Sequence, residues 1–192
     1  MKRTMLALLV CLCLLPALTS LTEIAPPNIR FGPLLPRYID LPRGLKLPVF
    51  SGPGEEYVHA QEGKATVSYG SWLETFGREG DWVLVLYGIS DQQMRFGYVT
   101  GQNLQEIYPD EDLSSLWENS PQVLNQNAVL TDDPLASQSP IAHLTQGSQV
   151  RRLLIINEWA YVEARAEESL LRGFVLNAHL FPTSSFDEIR PL

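Results

Sequence analysis

The chain has 192 residues and a formal charge of −8, a balance that repels nucleic-acid phosphates and anionic membranes and makes both poor partners. Its two cysteines, Cys11 and Cys13, sit close to the N-terminus, so the rest of the chain can build no disulfide framework, thiol nucleophile or thiolate metal site. The remaining length suits one large domain or two small ones.

Lys2 and Arg3 precede an apolar run from Met5 to Leu15, which Pro16 ends. The run is too short to cross ~30 Å of hydrocarbon as a helix, and Ala17, Thr19 and Ser20 offer a cleavage region. Residues 1–20 therefore read as a secretory signal peptide, with an uncleaved anchor as the alternative. A lipoprotein signal fits poorly, because Val10 and Leu12 stand before the cysteines, where a small residue is expected. Loss of Lys2 and Arg3 on cleavage takes two positive charges, moving the formal charge from −8 to −10. The expectation is a secreted protein, extracellular or in the cell envelope of a bacterium, with no stable membrane insertion after cleavage. Residues 21–44 form a proline-rich arm. From Ile24 to Pro48, past the end of the arm, Pro26, Pro27, Pro33, Pro36, Pro42 and Pro48 remove backbone donors and hold their predecessors extended. No Pro-x-x-Pro here has a strong basic flank, so the arm reads as a spacer rather than a ligand.

Residues 45–105 change to short β-type runs rich in aromatic and branched residues. Leu47 to Phe50, Lys64 to Tyr69, Trp72 to Gly77, Trp82 to Tyr87 and Arg95 to Thr100 are the strands expected. Ser51-Gly52-Pro53-Gly54 and Gly80-Asp81 are the turns. Residues 106–125 read as an acidic linker, in which Leu113 to Trp117 forms one helical turn capped by Asp112. Its Asp110-Glu111-Asp112 lacks the further ligands of a calcium loop. Residues 126–183 return to strands at Val129-Leu130, His143-Leu144, Val150 to Ile156, Trp159 to Ala164 and Arg172 to Leu176, and 184–192 are a tail. No segment after the signal has a long 3.6-residue period, so the fold class expected is mainly β.

The two β-rich halves repeat one another. Gly80-Asp81-Trp82-Val83-Leu84-Val85 matches Asn157-Glu158-Trp159-Ala160-Tyr161-Val162, and Arg95-Phe96-Gly97-Tyr98-Val99 matches Leu171-Arg172-Gly173-Phe174-Val175. Leu104 and Leu180 follow at the same distance, and the Trp-to-Gly gaps differ by one residue. A glycine before an aromatic relieves crowding where backbones approach. With Val49-Phe50-Ser51-Gly52-Pro53-Gly54 at its start, the first half resembles bacterial SH3 (SH3b) domains. The second half resembles them with Val129-Leu130-Thr131-Asp132-Asp133-Pro134 in place of the Gly-Pro turn. The resemblance implies two tandem small SH3-like β-barrels, each near the lower size limit for an independent core, and the expectation is that they lean on one another.

No Gly-x-Ser-x-Gly elbow, His-Glu-x-x-His helix or phosphate loop is present. His59, His143 and His179 have no His or Cys partner at chelate spacing. Glu55-Glu56, Asp132-Asp133 and Glu167-Glu168 are adjacent and read as solvated loop charges. The expectation is a non-enzyme with no catalytic residue, no metal site and no cofactor. The resemblance places Tyr57, Trp72, Trp82 and Tyr98 along an aromatic groove of the first unit, with Tyr57 and Trp72 the more exposed. Trp159, Tyr161 and Phe174 are the second unit's candidates. Such ring faces suit sugars and peptides alike, though Trp82, Trp159 and Phe174 also suit core packing. The partner implied is peptidoglycan or a peptide. The alternative is a structural or regulatory protein–protein interaction module of the envelope with no glycan ligand. Oligomeric state is left open.

Overall fold

The computed structural model of the chain describes residues 37–38, 41–58, 66–71, 73–90, 93–104, 111–134, 139–166 and 169–183. The expected signal peptide, most of the proline-rich arm, Trp72, His59, Glu167-Glu168 and the tail lie outside them. The described residues are mainly β, with antiparallel sheets and short 3₁₀ turns. No helix among them is long and apolar enough to cross a membrane.

The first unit comprises β1 (Arg37–Tyr38), β2 (Lys46–Pro48), β3 (Thr66–Ser68), β4 (Leu73–Glu79), β5 (Trp82–Ser90) and β6 (Gln93–Thr100). A four-stranded sheet runs β1-β4-β5-β6, and β2 pairs separately with β3. Phe50 ties the two sheets by exchanging both backbone hydrogen bonds with Tyr98, at 2.9 and 2.8 Å. The second unit comprises β7 (Ser120–Leu124), β8 (Ala128–Thr131), β9 (Pro140–Leu144), β10 (Gln149–Ile156), β11 (Trp159–Ala166), β12 (Ser169–Leu176) and β13 (Leu180–Pro182). They form one seven-stranded sheet, β13-β7-β10-β11-β12-β8-β9. The expectation of closed barrels is corrected, because no sheet closes on itself among the described residues. In the first unit an isolated bridge, Phe50 to Tyr98, stands between the two sheets in place of a β2–β6 ladder, and in the second the edges β13 and β9 do not pair.

The sequence repeat is a repeat of register. Val85 lies opposite Gly97 and Val162 opposite Gly173. Phe50 pairs with Tyr98 as Thr131 pairs with Phe174. Gly80 and Asn157 hold the same tight turn with φ of +56° and +55°, a region glycine and asparagine tolerate. A Cβ on Gly173 would stand 2.5 Å from the Thr131 carbonyl oxygen, and one on Gly97 would strike the Val49 side chain. Those are the close approaches the Gly-aromatic pattern predicts. The register slips at Phe76 on β4 and at Leu153 on β10. Each bulge re-aims one side chain, and both of those residues enter the layer between the units.

That layer is the dominant packing feature. Each unit has its own core, one around Leu47, Val83, Val85 and Val99 and the other around Leu130, Val150, Val162 and Val175. A third core is shared. Phe76, Leu84, Leu86, Phe96 and Tyr98 from the first unit meet Leu153, Ile156, Tyr161 and Phe174 from the second, with Leu113 and Trp117 between them. Residues alternate along β5, so Val83, Val85 and Tyr87 face inward while Leu84 and Leu86 face the other unit. Each side chain fully buried in this way contributes about 1.5–3 kcal/mol. The contacts are reciprocal in kind. Tyr98 and Phe174 each follow the repeat glycine, and Phe96 and Arg172 each precede it. Tyr98 meets Arg172, while Phe96 meets Phe174 with ring centroids 5.4 Å apart. Equivalent faces meet, as in an isologous dimer.

The expected linker and arm are partly built into the fold. Leu113–Leu116 is a 3₁₀ turn capped as the sequence suggests, with the Asp112 carboxylate accepting from the Ser114 N–H at 3.0 Å. Residues 120–124, inside the expected linker, form β7 and pair with β10. β1 pairs with β4, and Leu41 is buried in the first unit's core.

Candidate functional site

The residues expected along the first unit's groove have three different fates. Trp72 lies outside the described residues. Tyr57, expected to be exposed, is 6 % exposed, and Tyr98 is fully buried. Trp82 is half-buried, edge-on to Phe50 at 5.0 Å between centroids. The second unit covers both tyrosines. Its β12 approaches the loop after β2 as an extra extended segment. The Val58 N–H donates to the Leu170 carbonyl at 3.2 Å, and the Leu170 N–H donates to the Glu56 carbonyl at 3.1 Å. The Tyr57 ring lies against Gly52, where any Cβ would collide with it.

Two residues beyond Leu170, Arg172 enters between the tyrosines. Its Nη1 donates to Glu79 Oε1 at 2.6 Å and to the Tyr98 hydroxyl at 3.2 Å. Its Nε donates to Glu163 Oε2 at 2.8 Å. Tyr57 Oη donates to that same Glu163 oxygen at 2.7 Å, and Tyr98 Oη to Glu79 Oε1 at 2.6 Å. Arg151 Nη1 reaches Glu163 Oε1 at 3.2 Å. The guanidinium carbon stands 5.4, 5.8 and 5.9 Å from the ring centroids of Tyr57, Tyr98 and Trp117, within cation–π range.

Charge and burial explain why this network holds. Burial pushes the hydroxyls of Tyr57, Tyr98 and Tyr161 up, so the tyrosines remain donors. Burial would also raise the Glu163 carboxyl, but Arg172, the Tyr57 hydroxyl and Arg151 outweigh it and hold the group below its usual range. A buried ion pair is costly unless its partners are satisfied. Here carboxylates, hydroxyls and guanidinium are committed to one another, which leaves this cluster presenting no ring face outward.

The second unit's candidates behave similarly. Tyr161 and Phe174 are core residues of the shared layer, with centroids 4.9 Å apart, and Trp159 packs half-buried at its edge. His143 is exposed, and His179 is half-buried with Nε2 2.8 Å from Gln126 Nε2. Both histidines line a hollow of about 410 Å³ beside Val129 and Thr145. Among the described residues no group of three His, Cys, Asp or Glu could hold a metal.

One reading of the acids is corrected. Glu55 and Glu56 are exposed as expected, but Asp132 and Asp133 are 3 % and 0 % exposed. Asp132 Oδ2 pairs with Arg95 Nε of the first unit at 2.9 Å. The sequence reading missed Arg95, Glu79, Glu163 and Arg172 as well. A signal for them existed: Trp82 to Tyr87 is apolar without alternation, which in a strand means both faces are covered.

No family model matches the chain, and no curated protein matches it. Two solved structures are similar over part of their length, NlpC2 and NlpC1 from Trichomonas vaginalis, at 11 % identity and TM-scores of 0.30 and 0.31. The alignments cover 76 % and 84 % of this chain but 47 % and 51 % of those structures, so the chain spans about half their length. A likeness that weak assigns no function.

Proposed function

We propose that the chain is a non-catalytic protein–protein interaction module of the bacterial envelope, in which two SH3-like units are fixed face to face and present one rigid surface. The observation that carries this reading is Arg172 seated between Tyr57 and Tyr98. The ring faces that would stack on a sugar or peptide are occupied by the chain's own second unit. A second reading, recognition of peptidoglycan or its peptides, is favoured by Trp82, half-buried beside Phe50.

A pull-down of the purified protein with peptidoglycan sacculi over a range of salt separates them. The interaction-module reading expects no retention even at low salt. Retention that Trp82→Ala abolishes while the thermal transition is kept would favour wall recognition instead. Release of soluble muropeptides during the incubation would overturn the non-catalytic reading.

A further inference from the structure

Apart from the joint between the units, the second unit carries a hollow of about 410 Å³. Its walls are Asn127 and Val129 at the start of β8, His143 and Thr145 at the end of β9, and His179 of the 3₁₀ turn Asn177–His179. Ligand pockets run from about 300 to 1,000 Å³, so this one suits a small molecule. Val129 and His143 are directly opposite in the β8–β9 register and both are exposed, so their side chains share one face of the sheet. Three hydrogen bonds fix the walls to one another. Asn127 Oδ1 accepts from the Gln146 N–H at 2.8 Å, and the Asn125 N–H donates to the His179 carbonyl at 3.0 Å. Gln126 Nε2 lies 2.8 Å from His179 Nε2. These bonds spend acceptors and leave donors. The Asn127 amide nitrogen and the His143 ring have no hydrogen-bond partner among the described residues. An amide nitrogen only donates, so in this arrangement His179 Nε2 accepts and the ring proton sits on Nδ1. In a chain of formal charge −8, the described lining contains no Asp or Glu.

We propose that this hollow between the start of β8, the end of β9 and His179 is a binding site for a small carboxylate that carries a short apolar group. The ring N–H groups of His143 and His179 and the Asn127 amide donate to the carboxylate, and Val129 covers the apolar group. An ionised carboxylate only accepts, with about four lone-pair sites on its two oxygens, which matches a lining rich in donors. A cation finds no acid among the described walls. A purely apolar ligand would take water from the Asn127 amide and the imidazoles without replacing its hydrogen bonds. Two imidazoles fall short of the three protein ligands of an ordinary zinc site, and no third His, Cys, Asp or Glu joins them among the described residues. Walls already tied together also lower the ordering cost of binding. The site lies outside the Arg172 network, so its test is independent of the interaction-module reading.

The probe is N-acetylalanine, titrated into the full chain and read through the imidazole carbon signals in NMR spectra. Saturable shifts of the His143 and His179 signals are expected. N-acetylalanine amide, which has the same shape without the charge, should bind about tenfold more weakly or worse, the loss of a charge-assisted hydrogen bond. Asn127→Asp keeps an oxygen for the Gln146 N–H but sets a negative charge in the hollow, and it should abolish binding of the acid. His143→Ala should weaken binding about tenfold. Both side chains are exposed, so the thermal transition should stay where it is in the wild type. Absence of saturable shifts, equal binding of acid and amide, or unchanged binding by Asn127→Asp would each overturn the proposal. Propionate identifies the source of the carboxylate. Binding at least as tight as that of N-acetylalanine marks a free acid, weaker binding marks the end of a peptide chain, and either result keeps the carboxylate.

Discussion

Arg172 touches both units' acids at once, which makes it the residue whose loss is felt most. Arg172→Ala would leave Glu163 buried and Glu79 half-buried with their shared cation removed. A buried pair broken in this way costs about 3–5 kcal/mol, measurable by urea unfolding. Arg172→Lys should recover only part of that, because an ammonium cannot reach two carboxylates as a planar fork does. Glu163 adds a pH signature. Its folded pKa is depressed, so its contribution is present above the unfolded value and is lost as pH falls through the folded one. The stability deficit of Glu163→Gln should therefore shrink on acidification below about pH 4.5; a deficit constant from pH 7 to pH 3 would contradict this. At this scale the sequence is a poor guide. Tyr57 beside Glu55 and Glu56 looks like a loop aromatic, and nothing near it in the chain announces that Glu163, 106 positions away, will bond it.

Elements were more legible than residues. The strands of both units, the turn at Gly80 and the capped turn at Leu113 follow from local chemistry, and they form where that chemistry puts them. β1, β7 and β13 do not announce themselves, because each is short, and Pro121 and Pro182 are residues that usually argue against a strand. The same scale holds two predictions. Leu113→Ala removes a fully buried side chain that no strand supplies and should cost about 2–5 kcal/mol in chemical denaturation. Gly173→Ala should destabilise more than Gly97→Ala. Its Cβ meets the Thr131 backbone at 2.5 Å, whereas the nearest atom at Gly97 belongs to a valine side chain that can shift. Overpacking of this kind typically costs about 1–3 kcal/mol, and equal transition midpoints for the two variants would remove the distinction.

For the whole molecule, the shared layer of Phe76, Phe96, Tyr98, Tyr161 and Phe174 predicts one cooperative transition rather than two. Tryptophan fluorescence and far-UV circular dichroism should give coincident urea curves. Phe174→Ala should shift both curves together, by about 3–5 kcal/mol. Separate transitions would mean that the units fold alone. The repeat made the pair of units legible, but not how they meet. Alternation was expected along each strand, and the outward residues of β5 are apolar because the other unit, not water, covers them. The placing of Leu113 and Trp117 has a practical consequence. What looks on the sequence like a seam between two interchangeable cassettes is a part of both. A gene fragment ending at residue 105 would strip the first unit of these two side chains and bare Leu84, Leu86 and Phe96 together. Such units cannot be shuffled singly into other proteins; recombination that preserves folding must move the pair.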